Sequence, residues 1–238
     1  MKKNKIVMSV ISGLLVAAVA VGGTLAYLSD TSNQVTNTFN VGSGYEWDED
    51  HEHQGLWLDE TANPAPGVNP TKISSTNRTE TGVDYTEMYP GTVVAKDPTF
   101  HLTEGSTYSY VFARVTGADA MIAAGYVISD IDLGDFDVEP TSSVNEMAWE
   151  KVADDDDAND AGFDGIYRYY TTVAGGENGA DLAALFNSVK LSKDVDSDEF
   201  AKILPSTIDI AGVAVQTANL TAYEALIEAK LHLDKQLF

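Results

Sequence analysis

Residues 108–115 read Tyr-Ser-Tyr-Val-Phe-Ala-Arg-Val, and this stretch decides the fold class. Successive side chains of a strand point to opposite faces of a sheet, so a period of two along the chain marks a strand. Tyr108, Tyr110 and Phe112 fall on one face, and Val111 falls on the other with the remaining small apolar residues. This alternation predicts a strand, and it is the clearest one in the chain.

Further segments carry the strand signal more weakly. Short strands are predicted at 56–58, 92–102, 126–133, 166–173 and 208–216. Within the second of these, Asp97-Pro98 predicts an edge or a bulge, because proline cannot donate to a sheet ladder. Residues 61–87 are rich in Pro, Asn, Thr, Gly and Ser and predict a long loop.

Helices are predicted only in the later part of the chain. Segments 180–189 and 197–203 are interpreted as short helices or turns. Thr221 and Glu224 have the spacing of a capping box that opens a helix, and Leu226, Ile227 and Leu231 form its apolar stripe. Seven or eight short strands with a few helices predict an all-β fold, an antiparallel β-sandwich with short inserted helices.

The charge balance excludes one large class of partners. The 238-residue chain has 37 acidic against 14 basic residues, a formal net charge of −23. A nucleic-acid-binding surface needs Lys and Arg to neutralise phosphates, so nucleic acid is not an expected partner, and neither is anionic lipid. The chain has no cysteine, which excludes disulfides and thiolate chemistry.

The first 26 residues have the organisation of a secretory signal peptide. Three lysines in residues 1–5 precede an apolar run over 6–21 and small residues that end at Ala26. The run of about 16 residues is shorter than a membrane-spanning helix needs. We therefore predict cleavage between Ala26 and Tyr27 and an extracellular protein of the cell surface or its matrix, which contacts the membrane only through the signal before cleavage. An uncleaved N-terminal anchor is the alternative.

The predicted mature chain divides into an extended start and one domain. Residues 27–44 form an N-terminal extended segment in which Val35, Phe39 and Val41 share one parity, as in a half-buried strand. Residues 45–238 are predicted to be a single β-sandwich domain with long acidic loops. No linker in this stretch is rich enough in Gly, Pro or Ser to separate two domains.

Two segments are candidates for metal binding. His51 and His53 would lie on the same side of an extended strand and could hold a surface metal, but no His-Glu-x-x-His motif is present. Asp154 and Asp156 belong to an acidic run that could bind calcium, although the run lacks the EF-hand spacing. A solvated loop is the preferred interpretation of both segments. We therefore predict no cofactor, no zinc and no catalytic residue.

Several stretches resemble one family of exported bacterial proteins. Residues 22–30 read Gly-Gly-Thr-Leu-Ala-Tyr-Leu-Ser-Asp, and residues 37–42 read Asn-Thr-Phe-Asn-Val-Gly. Both resemble the start of the TasA/camelysin-like proteins, which are processed by the specialised signal peptidase SipW. Residues 89–98, with Pro-Gly followed by Lys-Asp-Pro, and Trp149 followed by Tyr-Arg-Tyr-Tyr at 167–170 are similar to inner stretches of that family.

The resemblance implies a jelly-roll-like sandwich and a structural role at the cell surface or in the biofilm matrix. It also implies fibre growth, in which the freed N-terminal segment of one subunit adds a strand to the next. The donor segment would be residues 27–41, with Val35, Phe39 and Val41 facing inward, and the partner would be a second copy or another matrix protein. Pairing of this segment within its own subunit remains open, as do a camelysin-type surface metallopeptidase using His51 and His53 and a monomeric surface adhesin or ligand-binding module.

Overall fold

The structure is a computed structural model that describes a defined part of the chain. The described residues are 29–31, 45, 48–50, 52–64, 72–73, 78–83, 85–86, 88–130, 142–152, 162–200, 203 and 206–237. The strands are β1 (Ser29–Thr31), β2 (Leu56–Asp59), β3 (Ala62–Pro64), β4 (Lys72–Ile73), β5 (Tyr85–Thr86), β6 (Val93–Lys96), β7 (Thr99–Leu102), β8 (Ser109–Thr116), β9 (Tyr126–Ser129), β10 (Trp149–Val152), β11 (Gly165–Tyr169), β12 (Ala180–Asp181), β13 (Ser188–Leu191) and β14 (Asp209–Gln216). The helices are α1 (Ala118–Ala123), α2 (Ser197–Phe200) and α3 (Ala222–Leu233), and a 3₁₀ turn at Asp234–Leu237 follows α3.

These strands form antiparallel sheets, which confirms the all-β sandwich class. The largest sheet has the order β1-β14-β8-β11-β10. A four-stranded sheet has the order β3-β6-β13-β9, a three-stranded sheet β12-β7-β2, and β4 pairs with β5. The finer jelly-roll topology stays a prediction.

Strand β8 confirms the strand predicted at residues 108–115, and it lies at the centre of the packing. Its residues Val111, Ala113 and Val115 belong to the main core, together with Phe100 from β7 and other large buried side chains. Phe112 points the other way, into a second cluster formed with β14 and α3. Burying one such large side chain stabilises the fold by about 1.5–3 kcal/mol, so a strand buried on both faces has a strongly specified register.

Pro98 divides one predicted strand into two strands of different sheets. Residues 92–102 become β6, in the four-stranded sheet, and β7, in the three-stranded sheet. The two residues between them, Asp97 and Pro98, form the corner where the chain changes sheet. The residue pattern predicts an interruption there, but it does not predict that the strands before and after it belong to different sheets.

Two segments differ from their predicted structure. Segment 180–189 holds no helix: β12 and the first residues of β13 lie at its ends, and Leu182, Leu185 and Phe186 pack into the core between them. These residues are spaced as on one face of a helix, but they reach the core from a segment without regular structure. Part of the predicted loop 61–87 is also paired, since the short strands β3, β4 and β5 lie within it.

Helix α3 begins as predicted but buries a different face. The Thr221 side chain accepts the Glu224 N–H, and the Glu224 carboxylate accepts the Thr221 N–H, so the capping box is confirmed. The buried residues are Ala225, Leu226, Ala229 and Leu233. Ile227 and Leu231 are 44% and 50% exposed, so the predicted stripe is wrong in these two positions. None of the described helices combines the length and the apolar character that a membrane crossing requires.

Candidate functional site

The N-terminal strand β1 occupies one edge of the five-stranded sheet. Ser29 lies opposite Val215 and Thr31 lies opposite Val213, and β14 pairs on its other side with β8 along eight residues. The strand begins two residues after Tyr27, where the signal is predicted to be removed. Ala26, Tyr27, Val35, Phe39 and Val41 lie outside the described residues, so the cleavage site and the inward face of the donor segment stay predictions.

Strand β14 is buried on both faces beside this edge. Val213 and Val215 pack on Leu226 and Leu233 of α3, whereas Ala214 belongs to the core between the sheets. Both faces of β14 thus carry apolar side chains with no solvent contact. A one-residue slip would exchange the two faces of β14. The apolar packing on both faces therefore fixes its register.

Tyr45 anchors the chain to β14 from within the sandwich. Its buried hydroxyl donates to the Ala214 carbonyl at 2.9 Å and lies 3.2 Å from the Ser109 hydroxyl. Gln54 donates its side-chain amide to the Tyr45 carbonyl at 3.1 Å. The chain is therefore attached to β14 twice, at β1 and at Tyr45, with residues 32–44 between the two attachments.

A second cluster of functional groups lies on the three-stranded sheet, where Trp57 is sandwiched between two histidines. The rings of His53 and Trp57 are stacked with centroids 4.1 Å apart and planes at 17°. His101, from the neighbouring strand β7, stacks on the other face of Trp57 at 4.0 Å and 18°. His53, Trp57 and His101 together form the histidine–tryptophan stack.

Each histidine of the stack lies between two carboxylates. His53 contacts Asp48 through Nδ1 at 2.9 Å and Glu80 through Nε2 at 2.7 Å. His101 contacts Asp181 through Nδ1 at 2.7 Å and Asp59 through Nε2 at 2.9 Å. A protonated imidazole donates from both nitrogens, so the two carboxylates beside His53 favour the charged form of that ring.

The pKa values of His53 and Asp48 shift in the direction that their mutual contact requires. Burial works to lower the pKa of His53, but the hydrogen bonds to Glu80 and Asp48 outweigh it, so the pKa lies above its ordinary value. Partial burial works to raise the pKa of Asp48, but hydrogen bonds from the His53 ring and from nearby backbone N–H groups hold it below its usual range. The two shifts agree on a charged pair.

Ion pairs extend from the stack along β2. Arg78 donates to both oxygens of Asp59, from Nε at 2.7 Å and from Nη2 at 2.6 Å, and its Nη1 reaches Asp97 at 2.9 Å. Burial works to raise the pKa of Asp59, but hydrogen bonds from Arg78 and His101 hold it below its usual range. The buried Lys96 ammonium pairs with Glu60, the residue that follows β2.

The predicted metal ligands are not brought together among the described residues. His51, Asp154 and Asp156 lie outside them, and His53 uses both ring nitrogens for Asp48 and Glu80. The described part of the chain contains no group of three or more His, Asp or Glu side chains arranged to hold a metal ion. Calcium at the acidic run therefore stays a prediction.

A cleft of about 540 Å³ opens beside α1 and β10. Its apolar lining includes Trp149, Phe163 and Tyr167, and its polar lining includes the carboxylate of Asp119. Asp119 accepts the Phe163 N–H at 2.5 Å, and Lys151, also on the lining, donates to the Gly162 carbonyl at 2.6 Å. These polar groups hold the walls of the cleft together.

Neither the stack nor the cleft was predicted from the residue pattern. His101 lies 48 positions after His53, and only the pairing of β2 with β7 brings it against Trp57. The one local signal is the position of Trp57, four residues after His53, at the start of a short strand. Searches with family models, among curated proteins and among solved structures found no match to the chain.

Proposed function

We propose that this chain is a secreted structural protein of the cell surface or biofilm matrix, which assembles by passing its N-terminal strand to the next subunit. One observation carries the proposal: the first strand after the predicted cleavage site is a three-residue edge strand on the eight-residue strand β14. An edge strand attaches through main-chain hydrogen bonds, which an identical strand of a second copy can make equally well.

The register of β1 defines where an incoming strand would lie. Paired residue numbers of β1 and β14 add up to 244, as in Ser29 with Val215. A strand continued in this register would place residue 35, the first apolar residue of the donor pattern, opposite Asp209 at the start of β14. Residues 29–35 would then run along β14 from Val215 to that point.

The length of chain between the two attachments permits exchange between subunits. When only β1 itself pairs with the neighbour, residues 32–44 form the connection, and these 13 residues reach at most about 43–47 Å when extended. A domain of roughly 200 residues has a radius of gyration of about 16 Å and is therefore about 40 Å across. Tyr45 can stay in its own sandwich while β1 of the same chain pairs with the sheet of a neighbour.

Exchange of this kind is favourable for filament growth. Each subunit would offer β1 at one site and the edge of β14 at another, so the contact is head-to-tail and does not close on itself. The same hydrogen bonds are made within or between copies, so exchange costs little enthalpy. The resemblance of residues 22–30 and 37–42 to the TasA/camelysin-like proteins supports the proposal independently of the strand pairing.

Electron microscopy of the purified protein, after its N-terminus has been determined by mass spectrometry, tests the proposal. The variant Ser29→Gly, Asp30→Pro, Thr31→Gly removes strand-forming residues and should abolish filaments. The matched control Ser29→Thr, Asp30→Val keeps a strand of the same length and should form them. Filaments that persist in the first variant would reject strand exchange, and a wild-type protein that is monomeric at every concentration would favour the adhesin alternative.

A further inference from the structure

The ring of His53 joins two separate segments of the chain on one face of Trp57. Its Nδ1 lies 2.9 Å from Asp48, in the same segment, and its Nε2 lies 2.7 Å from Glu80, 27 residues further along the chain. Only 15% of the His53 side chain is exposed, so most of the ring is shielded from water. The protonation state of this one ring therefore decides whether both carboxylates stay bound.

A neutral imidazole cannot serve both carboxylates. The protonated ring donates from both nitrogens, whereas the neutral ring has one N–H group and one lone pair. At distances of 2.9 Å and 2.7 Å, a lone pair that faces a carboxylate oxygen brings two acceptors together without a hydrogen between them. Loss of one proton from His53 therefore breaks one of its two contacts, and the surroundings of the two carboxylates decide which one.

Asp48 is fixed beside Nδ1 by its own segment. Its Oδ1 accepts the Glu52 N–H at 2.8 Å, and its Oδ2 accepts the His53 N–H at 3.1 Å. The Asp48 N–H donates in turn to the His53 carbonyl at 3.0 Å, which closes the same turn. These backbone hydrogen bonds do not depend on the protonation of the ring. Asp48 therefore stays beside Nδ1 and selects the neutral tautomer that keeps its proton on Nδ1.

Glu80 reaches Nε2 from a different segment and is more exposed to solvent. Its side chain is 44% exposed, against 29% for Asp48. A carboxylate with this exposure can hydrogen-bond to water when Nε2 no longer donates to it. The neighbouring Thr79 stays attached to Glu60 by two backbone hydrogen bonds of 3.0 Å. The contact that deprotonation breaks is therefore the one between Nε2 and the Glu80 carboxylate.

Further charged groups lie beyond Trp57, around the second histidine of the stack. Asp59 and Asp181 bind the two ring nitrogens of His101, and Arg78 binds Asp59. The indole ring separates these groups from the first histidine, since the two imidazoles stack on its opposite faces. Their charges affect how tightly the first ring binds its proton, whereas the hydrogen-bond partners at its two nitrogens decide which proton leaves.

We propose that His53 and Glu80 form a pH-sensitive contact, which holds residues 78–80 against the ring while His53 is protonated and is lost when the ring releases its Nε2 proton. Burial works to lower the pKa of His53, but hydrogen bonds to Glu80 and Asp48 outweigh it, so the pKa lies above its ordinary value. The contact is therefore complete below about pH 6.5 and is lost as pH rises through the folded pKa. It involves neither β1 nor β14 and is independent of the strand exchange proposed above.

The ring nitrogen NMR signals of the wild-type protein, followed from pH 5 to 9, test which proton leaves. The chain has four histidines, and His53→Gln identifies the signals that belong to His53. At high pH the His53 ring should carry its proton on Nδ1, with an unprotonated Nε2. A ring that keeps its proton on Nε2 would overturn the proposal, and so would equal populations of the two tautomers.

Two amide variants separate the roles of the two carboxylates. In Glu80→Gln, the proton affinity of His53 should fall about two- to fivefold, as for an ion pair near the surface, and the Nδ1–H tautomer should persist. In Asp48→Asn, the new amide can donate to Nδ1, so the neutral ring should move its proton to Nε2 and keep Glu80 bound.

Asp181→Asn is the matched control, because it removes a carboxylate that binds the other imidazole of the stack. The Asp181 side chain is 84% exposed, so its loss should change the proton affinity of His53 by about twofold or less and leave its tautomer unchanged. An equal response of His53 to Asp181→Asn and to Glu80→Gln would contradict a specific contact with Glu80.

Hydrogen exchange, measured by mass spectrometry, tests whether the contact holds its segment. The rates at residues 79–81 in the wild type are divided by those in Glu80→Gln at the same pH, which cancels the intrinsic pH dependence of exchange. The Gln amide can donate to an unprotonated Nε2, so this variant keeps the contact at high pH. The ratio should rise severalfold between pH 5.5 and 8.5. A constant ratio would show that the contact does not hold residues 78–80.

Discussion

Two edges of the molecule are covered in different ways. At β14, the cover is a strand, β1, that pairs by backbone hydrogen bonds and lies beside apolar packing against α3. At β2, residues 78–80 are held by the ion pairs of Arg78 and Glu80 and by one backbone bridge between Thr79 and Glu60. The difference separates a contact made by backbone hydrogen bonds beside apolar packing from one made mainly by charged side chains.

The largest effect that this comparison predicts is at the apolar backing of β14. Phe112→Ala removes a fully buried ring from the cluster with Val213, Val215 and Leu226 and should lower the free energy of unfolding by about 3–5 kcal/mol. Urea denaturation measures it. Tyr223→Ala, on the 62% exposed outer side of α3, is the control and should stay within about 0.5 kcal/mol of the wild type. Equal effects of the two changes would contradict the claim that the apolar cluster around Phe112 supports β14.

An intermediate effect is expected at Arg78, beside β2. Arg78→Ala leaves the Asp59 carboxylate, 10% exposed, without its bidentate partner and should cost about 1–3 kcal/mol. Arg168→Ala, which removes one partner of an exposed pair with Glu150, should cost about 1 kcal/mol or less. The two variants are compared in the same urea titration, and a larger loss from Arg168→Ala would contradict the role given to Arg78.

The residue pattern predicted local features of the fold but not the contacts that depend on how distant segments pair. Alternation in residues 108–115 predicted the strand β8, because the alternation of strand side chains is a local, period-two property. The histidine–tryptophan stack could not be predicted, because His101 reaches Trp57 only after Pro98 has turned the chain into another sheet. The contacts of residues 78–80 were hidden in a predicted loop for the same reason, since the groups that they bind at Asp59, Glu60 and His53 lie more than 15 residues away.

A smaller effect is expected from pH. The pKa of His53 is raised in the folded chain, so the stability it contributes is complete below about pH 6.5 and is lost as pH rises through the folded pKa. The pKa values of Asp48 and Asp59 are lowered, so their contribution is present above about pH 3.8 and is lost as pH falls through their folded values. His53, Asp48 and Asp59 together should therefore stabilise the fold most between about pH 4 and 6.5.

Melting temperatures across this range measure the pH effect. His53→Gln should flatten the decline between pH 6 and 8, a change of about 1 kcal/mol or less for an ion pair near the surface. His232→Gln is the control, because burial, followed by the charge of Lys235, lowers the pKa of His232, so its own contribution is lost towards acid pH. If the melting temperature of His53→Gln declines with rising pH as steeply as that of the wild type, the charged form of His53 does not contribute to stability.

Strand exchange at β14 is tested most directly by a cysteine pair across the β1 edge. The chain has no cysteine of its own, so Ser29→Cys with Val215→Cys, which are opposed residues, supplies the only thiols. In oxidised filaments of this variant, a non-reducing gel should show a ladder of covalently linked multimers that dithiothreitol collapses to monomer. Filaments whose cysteines are fully oxidised but run as monomer would place β1 on its own subunit and contradict exchange.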